Sequence, residues 1–80
     1  MANQDHLDIL KQGIDVWNQW KQKHLDIAPD FIGSSLFDAN FHQANFQGAS
    51  FNNANLGRTS FNNANLTNAL QPHLLREILP

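Results

Sequence analysis

The second half of the chain carries a large apolar residue at every fifth position, with small and polar residues between. The series runs without an insertion through Phe31, Leu36, Phe41, Phe46, Phe51, Leu56, Phe61 and Leu66. Two positions before each of these stands a small residue or a proline, and most are the alanines Ala39, Ala44, Ala49, Ala54 and Ala64. A five-residue period fits neither an α-helix nor an ordinary strand, so the pattern predicts a tandem repeat.

The residue types within each pentad predict its geometry. Alternate residues of an extended segment point to the same side, so the large residue and the small one before it should both face inward. The positions between them hold mostly Asn, Asp, Ser, Gln and Gly, which favour turns. Four such sides, each followed by a corner, would close a square coil of about twenty residues. Positions one coil apart would then stack, which places Phe31 over Phe51 and Phe41 over Phe61.

The repeated pattern Ala-Asn-Phe/Leu-x-x over residues 29–68 resembles the pentapeptide repeat family. This resemblance implies a right-handed quadrilateral β-helix. Residues 13–20 (Gly-Ile-Asp-Val-Trp-Asn-Gln-Trp) also resemble the helix that precedes the first repeat in many cyanobacterial members. The expected fold is therefore an all-β solenoid core of about two coils over residues 29–70, within a single domain spanning residues 1–80.

Both flanks of the repeat predict helices that cover its ends. Over residues 5–26 the apolar side chains occupy one half of a helical wheel, and this helix should cap the first coil through Leu10, Ile14, Trp17 and Trp20. Over residues 72–79 a short helix has an apolar side that includes Leu74, Leu75 and Ile78. That helix either caps the second coil of its own chain or pairs with the same helix of a second chain. We favour the homodimer, because so small a solenoid gains most from it.

Two apolar residues stand where the repeat predicts outward-facing positions. Ile32 and Phe37 directly follow inward residues, whereas the corresponding positions of the second coil hold Asn52 and Gly57. Either the N-terminal helix folds over them or they are offered to a partner. Together with Leu74, Leu75 and Ile78 they form the candidate interaction patch.

The sequence gives little support to catalysis, metal binding or a cofactor. There are no cysteines, and the four histidines lie far apart along the chain without a ligand-like spacing, which favours solvated or capping roles for His6, His24, His42 and His73. No carboxylate pair or nucleophile–base spacing suggests an enzyme. We interpret the two tryptophans as core residues and not as a ligand-stacking site.

Charge decides between the remaining functional classes. The formal net charge is −2, too small for a strong field toward nucleic acid or an anionic membrane. Neither a signal peptide nor an apolar run of about 20 residues is present, so we expect a cytoplasmic location.

The expected function is a non-catalytic structural or protein–protein interaction module with an unknown protein partner, and a regulatory role is left open. The alternative is a DNA mimic that inhibits DNA gyrase, as some members of the resembled family do. The short repeat and near-neutral surface disfavour it.

Overall fold

A computed structural model describes residues 2–69, which form two helices followed by the repeat segment. Helix α1 spans Gln4–Lys11 and helix α2 spans Ile14–Lys23. The side chain of Asn3 accepts hydrogen bonds from the backbone N–H groups of Asp5 and His6, and so caps the first turn of α1. The helix predicted over residues 72–79 lies outside the described residues, as do Leu74, Leu75 and Ile78, so the homodimer through that helix stays a prediction.

The structure corrects the single N-terminal helix expected over residues 5–26. The break falls at Gly13, whose φ of 118° is far from helical. Helix α1 ends in two hydrogen bonds that span three residues instead of four. Gln12 N–H donates to Ile9 C=O, and Gly13 N–H donates to Leu10 C=O. Helix α2 then begins when Trp17 N–H reaches Gly13 C=O. Glycine tolerates this backbone geometry and has a poor helix propensity, and the two helices therefore pack against each other as a hairpin.

The repeat segment runs alongside itself with an offset of twenty residues. We call residues 29–48 the first coil and residues 49–68 the second coil. Isolated parallel bridges join them at four places, namely Asp30 with Ser50, Ser35 with Asn55, Asn40 with Ser60, and Asn45 with Asn65. The extended sides predicted from the sequence are thus isolated bridges. Within residues 2–69 there is no strand longer than one bridging residue. The reason is that each side extends for too few residues before its corner to form a ladder.

Every corner is a tight turn with one residue in the left-handed region. In each pentad the small residue donates its backbone N–H to the carbonyl of the large apolar residue three positions earlier, as Ser34 does to Phe31 at 3.1 Å. The residue in between with positive φ is glycine at Gly33 and Gly48 and a non-glycine residue elsewhere: Asp38, Gln43, Asn53, Arg58, Asn63 and Asn68. A type II turn places a positive φ at this position. Asparagine tolerates it better than most residues, which accounts for three of the seven asparagines in the second coil.

The core fills the inside of both coils. Seven of the eight large repeat residues are buried and Leu66 is half-buried; among the alanines, Ala44 and Ala49 are buried while Ala39, Ala54 and Ala64 are half-buried. Phe31 stacks on Phe51 with ring centroids 5.4 Å apart, and Phe41 lies 5.6 Å from Phe61. Trp17 of α2 extends this core beyond the repeat, since its ring lies 5.4 Å from that of Phe31 and the residue is fully buried. Of the other cap residues, Leu10 belongs to the same cluster, and Ile14 and Trp20 pack against it.

Candidate partner-binding site

The first coil has an open edge on the side away from the second coil. In a parallel bridge the neighbours of the bridging residue make the hydrogen bonds, so its own N–H and C=O point the other way. At Ser35, for example, Asn55 N–H bonds Ser34 C=O at 2.8 Å and Leu36 N–H bonds Asn55 C=O at 2.9 Å. The same holds on all four sides. Four pairs of backbone groups therefore point away from the second coil, a direction that we call upward. They belong to Asp30, Ser35, Asn40 and Asn45.

Helix α1 occupies the edge at Asp30. The N–H of Asp30 donates to Nδ1 of His6 at 3.0 Å, and its C=O accepts from the backbone N–H of Asn3 at 3.1 Å. Both upward groups of this side are thus bonded by the start of α1. His6 is 7% exposed, so its capping bond lies in a largely dry site.

Helix α2 occupies the edge at Asn45 in the same manner with side chains alone. The N–H of Asn45 donates to Oδ1 of Asn18 at 2.8 Å, and its C=O accepts from Nε1 of Trp17 at 2.7 Å. The amide of Asn18 also donates to the carbonyl of Gln43 at 3.1 Å. Buried backbone groups are costly without partners, so these bonds fix where α2 sits on the coil.

The hydrogen bond to Asp30 fixes the tautomer of His6. Nδ1 accepts, so it carries a lone pair and the neutral ring holds its proton on Nε2. Burial lowers the pKa of His6 below its ordinary value, and Lys21 lowers it further. Asp30 and Asp5 act in the opposite direction but do not reverse the shift. The neutral ring is the form that the capping bond requires.

Lys21 is a buried charged residue that the sequence analysis did not single out. It is 1% exposed, and its ammonium donates to the carbonyl of Ile27 at 2.8 Å and to that of Leu25 at 3.5 Å. It thereby ties the end of α2 to the segment that leads into the first repeat. On the wheel Lys21 falls between Leu10 and Ile14, in the middle of the apolar half. That position was the available sequence signal.

The other two sides of the open edge are not capped. None of the hydrogen bonds among residues 2–69 uses the backbone N–H or C=O of Ser35 or Asn40. Both residues are exposed and line a groove of about 300 Å³. One wall of the groove is the junction of the two helices, with Leu10 and Ile14, and the other is the corner of the first coil, with Phe37.

Phe37 is an exposed aromatic residue whose ring packs against the second coil. It is 52% exposed, and its ring lies over Gly57, where an added Cβ would come within 2.9 Å of Cδ2 of Phe37. The guanidinium of Arg58 lies 5.9 Å from the ring centroid and forms an exposed ion pair with Asp38 at 3.8 Å. The second coil has no side chain at the corresponding position, because residue 57 is glycine. This leaves room for the ring of Phe37 to pack on the corner.

The structure separates the two outward apolar residues of the candidate patch. Ile32 is half-buried beside α1, in a hollow of about 290 Å³ that it lines together with Gln4 and Leu7. Phe37 lies past the end of α1 and stays exposed. Helix α1 thus shields one residue and leaves the other, because the chain turns away at Gly13.

A comparison with known protein families matches residues 30–70 to pentapeptide repeats, in eight copies. The chain belongs to the pentapeptide repeat family. The resemblance stated from the sequence is therefore confirmed, and members of this family generally form a β-helix and typically serve as structural or interaction modules. The comparisons with curated proteins and with solved structures found no match.

Three of the four histidines of this pentapeptide repeat protein lie within the described residues. His6 and His24 each lie next to Trp20, at 5.2 Å and 4.7 Å between ring centroids, while His42 is exposed on the repeat. His73 lies outside the described residues. Within residues 2–69 no three histidine or carboxylate side chains are placed to hold a metal ion. Neither α1 nor α2 is long and apolar enough to cross a membrane.

Proposed function

We propose that this pentapeptide repeat protein is a non-catalytic protein-interaction module whose binding surface is the corner at Phe37. The observation that carries the proposal is the exposed ring of Phe37, seated on Gly57 beside an apolar groove. An aromatic side chain that is held in place by its own fold loses little entropy on binding, and it supplies a large apolar contact. Such residues are enriched among the side chains that dominate binding energy.

We further propose that residues 29–70 form a right-handed quadrilateral β-helix of two coils. The twenty-residue offset of the four bridges supports this proposal, since it corresponds to four pentads in each coil. A rigid coil of this kind would hold Phe37 at a constant distance from the helix junction, which is what a binding surface requires.

The interaction proposal is tested by affinity capture with the full chain as bait from a lysate of its own organism. Three baits are compared: the unchanged protein, Phe37→Asn, and the matched control Leu25→Asn, which removes an exposed leucine outside the groove. We expect at least one protein to be captured by the unchanged bait and by Leu25→Asn but lost with Phe37→Asn. If the three baits capture the same set, the corner at Phe37 is not the binding surface.

Inhibition of DNA gyrase by DNA mimicry is the less favoured function. The described part of the repeat carries three charged side chains, Asp30, Asp38 and Arg58, and the last two are paired with each other. A mimic of DNA needs a dense negative field, because phosphate recognition is mainly electrostatic. A supercoiling assay tests this directly, and inhibition at submicromolar protein would favour DNA mimicry over the interaction proposal.

A further inference from the structure

We propose that the groove beside Phe37 takes an extended polypeptide segment of a partner protein, which pairs its backbone with Ser35 and inserts an apolar side chain against Phe37. This inference rests on the proposed function and names the kind of partner. It follows from how the other two sides of the same open edge are filled.

The filled sides show what chemistry an edge position takes. At Asp30 and at Asn45, one acceptor meets the upward N–H and one donor meets the upward C=O. The ring of Trp17 packs against the core residue that follows each of them, Phe31 and Phe46. A polypeptide backbone supplies the same donor and acceptor at strand spacing. Ser35 offers the matching pair of groups, with no partner for either among residues 2–69.

The pairing beneath Ser35 gives the geometry of the proposed contact. Asn55 of the second coil bonds Ser34 C=O at 2.8 Å and accepts from Leu36 N–H at 2.9 Å, and Leu56 enters the core directly after it. A segment above Ser35 would make the equivalent bonds one layer higher. Its next side chain would then enter the groove above Leu36, which Phe37, Leu10 and Ile14 also line, as Leu56 enters the core below.

The shape of the groove favours a single segment over a broad surface. The helix junction at Lys11 and Gly13 forms one side and the coil corner at Phe37 forms the other, so Ser35 lies in a groove and not on a flat surface. Among residues 2–69, a second copy of this chain offers its two helices and its repeat, each of which is broader than one extended segment. The volume of about 300 Å³ and the lining by Leu10, Ile14, Leu36 and Phe41 match one or two apolar side chains.

The test uses random linear peptides displayed on phage, selected on the full chain and counter-selected on Phe37→Asn. The best enriched peptide is synthesised, and its affinity for the full chain is measured by titration calorimetry. A set of copies follows, each N-methylated at a different backbone position, which removes one donor and leaves the side chains unchanged. We expect one N-methyl position to weaken binding by at least about tenfold, as loss of a single well-placed hydrogen bond does. We also expect the peptide to slow amide exchange at Ser35.

Two further measurements guard the interpretation. Gly57→Ala keeps Phe37 but displaces its ring, so it should weaken the peptide as Phe37→Asn does, and circular dichroism of both variants checks that they are folded. If no peptide is enriched, or if all N-methyl copies bind equally, the backbone pairing is wrong. Lysate capture that still depends on Phe37 would then leave the proposed function standing. Sedimentation that shows self-association abolished by Phe37→Asn would assign the groove to a second copy and overturn the inference.

Discussion

Trp17 donates its indole N–H to the backbone carbonyl of Asn45 over 2.7 Å. This bond joins a fully buried helix residue to the open edge of the first coil, 28 residues further along the chain. The same side chain packs against Phe31 and Phe46, with ring centroids 5.4 Å and 5.7 Å away. Trp17 thus covers the apolar end of the core and also pairs with a backbone carbonyl of the first coil.

Replacement of Trp17 by phenylalanine should destabilise the protein by about 2–4 kcal/mol, because it leaves the Asn45 carbonyl unpaired and opens a cavity. Trp20→Phe is the matched control, since Trp20 is half-buried and its indole makes no hydrogen bond within residues 2–69. It should cost about 1 kcal/mol. Urea unfolding followed by circular dichroism measures both. Equal losses for the two variants would show that the bond to Asn45 contributes little.

Acid should loosen the contact between α1 and the coil through His6. The pKa of His6 is lowered in the folded protein, chiefly by burial, so the unfolded chain takes up the proton at higher pH than the folded chain. The contribution of His6 to stability is therefore complete above about pH 6.5, the ordinary value. It declines as the pH falls below that value and levels off below the folded pKa. A protonated Nδ1 also has no lone pair for Asp30 N–H.

The free energy of unfolding, measured by urea titration at a series of pH values, tests this prediction. His6→Gln provides the control, because its side chain can still accept a hydrogen bond but does not titrate. The unchanged protein should lose more stability between pH 7 and 5 than His6→Gln. Parallel profiles would assign the acid sensitivity to other groups.

The buried Lys21 should be needed to hold the segment between α2 and the repeat. Lys21→Met keeps most of the packing volume but removes the donor to Ile27 C=O. We expect a loss of about 1–3 kcal/mol, the usual cost of an unpaired buried carbonyl. The exposed neighbour Lys23, replaced by methionine, should change stability by less than about 0.5 kcal/mol. A neutral or stabilising Lys21→Met would mean that desolvation of the ammonium outweighs its two bonds.

The corner at Gly48 isolates the backbone cost of a left-handed residue. Its φ is 74°, and an added Cβ would meet nothing within 4 Å, so Gly48→Ala changes only conformational energy. We expect a loss of about 1 kcal/mol. Gly48→Asn should recover much of that loss, since asparagine already stands at the equivalent corners Asn53, Asn63 and Asn68. Thermal unfolding compares the three proteins. If alanine and asparagine are equally tolerated, the corner relaxes out of the left-handed region.

The repeat could be predicted residue by residue because a five-residue period leaves one inward register. The large residues from Phe31 to Phe61 are buried, and the pairing offset of twenty residues follows from the same period. The outward direction of Phe37 also followed from the alternation along an extended segment. These features depend on short-range geometry, which a repeated sequence states many times.

The cap could be predicted as an apolar helical segment but not in its hydrogen bonds. A lone glycine in a helical pattern is often tolerated, so Gly13 did not by itself indicate a hairpin. The roles of His6 and Asn18 depend on where each short helix lies on the coil. That placement is set by tertiary contacts between residues far apart in the sequence, such as the bond that Asn45 N–H donates to Asn18 Oδ1. The exposure of Phe37, and hence the candidate site, depends on the same placement.

The central claim is that the helices cap two sides of the open edge and leave the other two uncapped. Amide hydrogen exchange, measured by NMR on the full chain, tests it most directly. The N–H groups of Asp30 and Asn45, bonded to His6 and Asn18, should exchange slowly. Those of Ser35 and Asn40, which have no partner within residues 2–69, should exchange near the rate of an unprotected amide. Similar protection at all four positions would contradict the account.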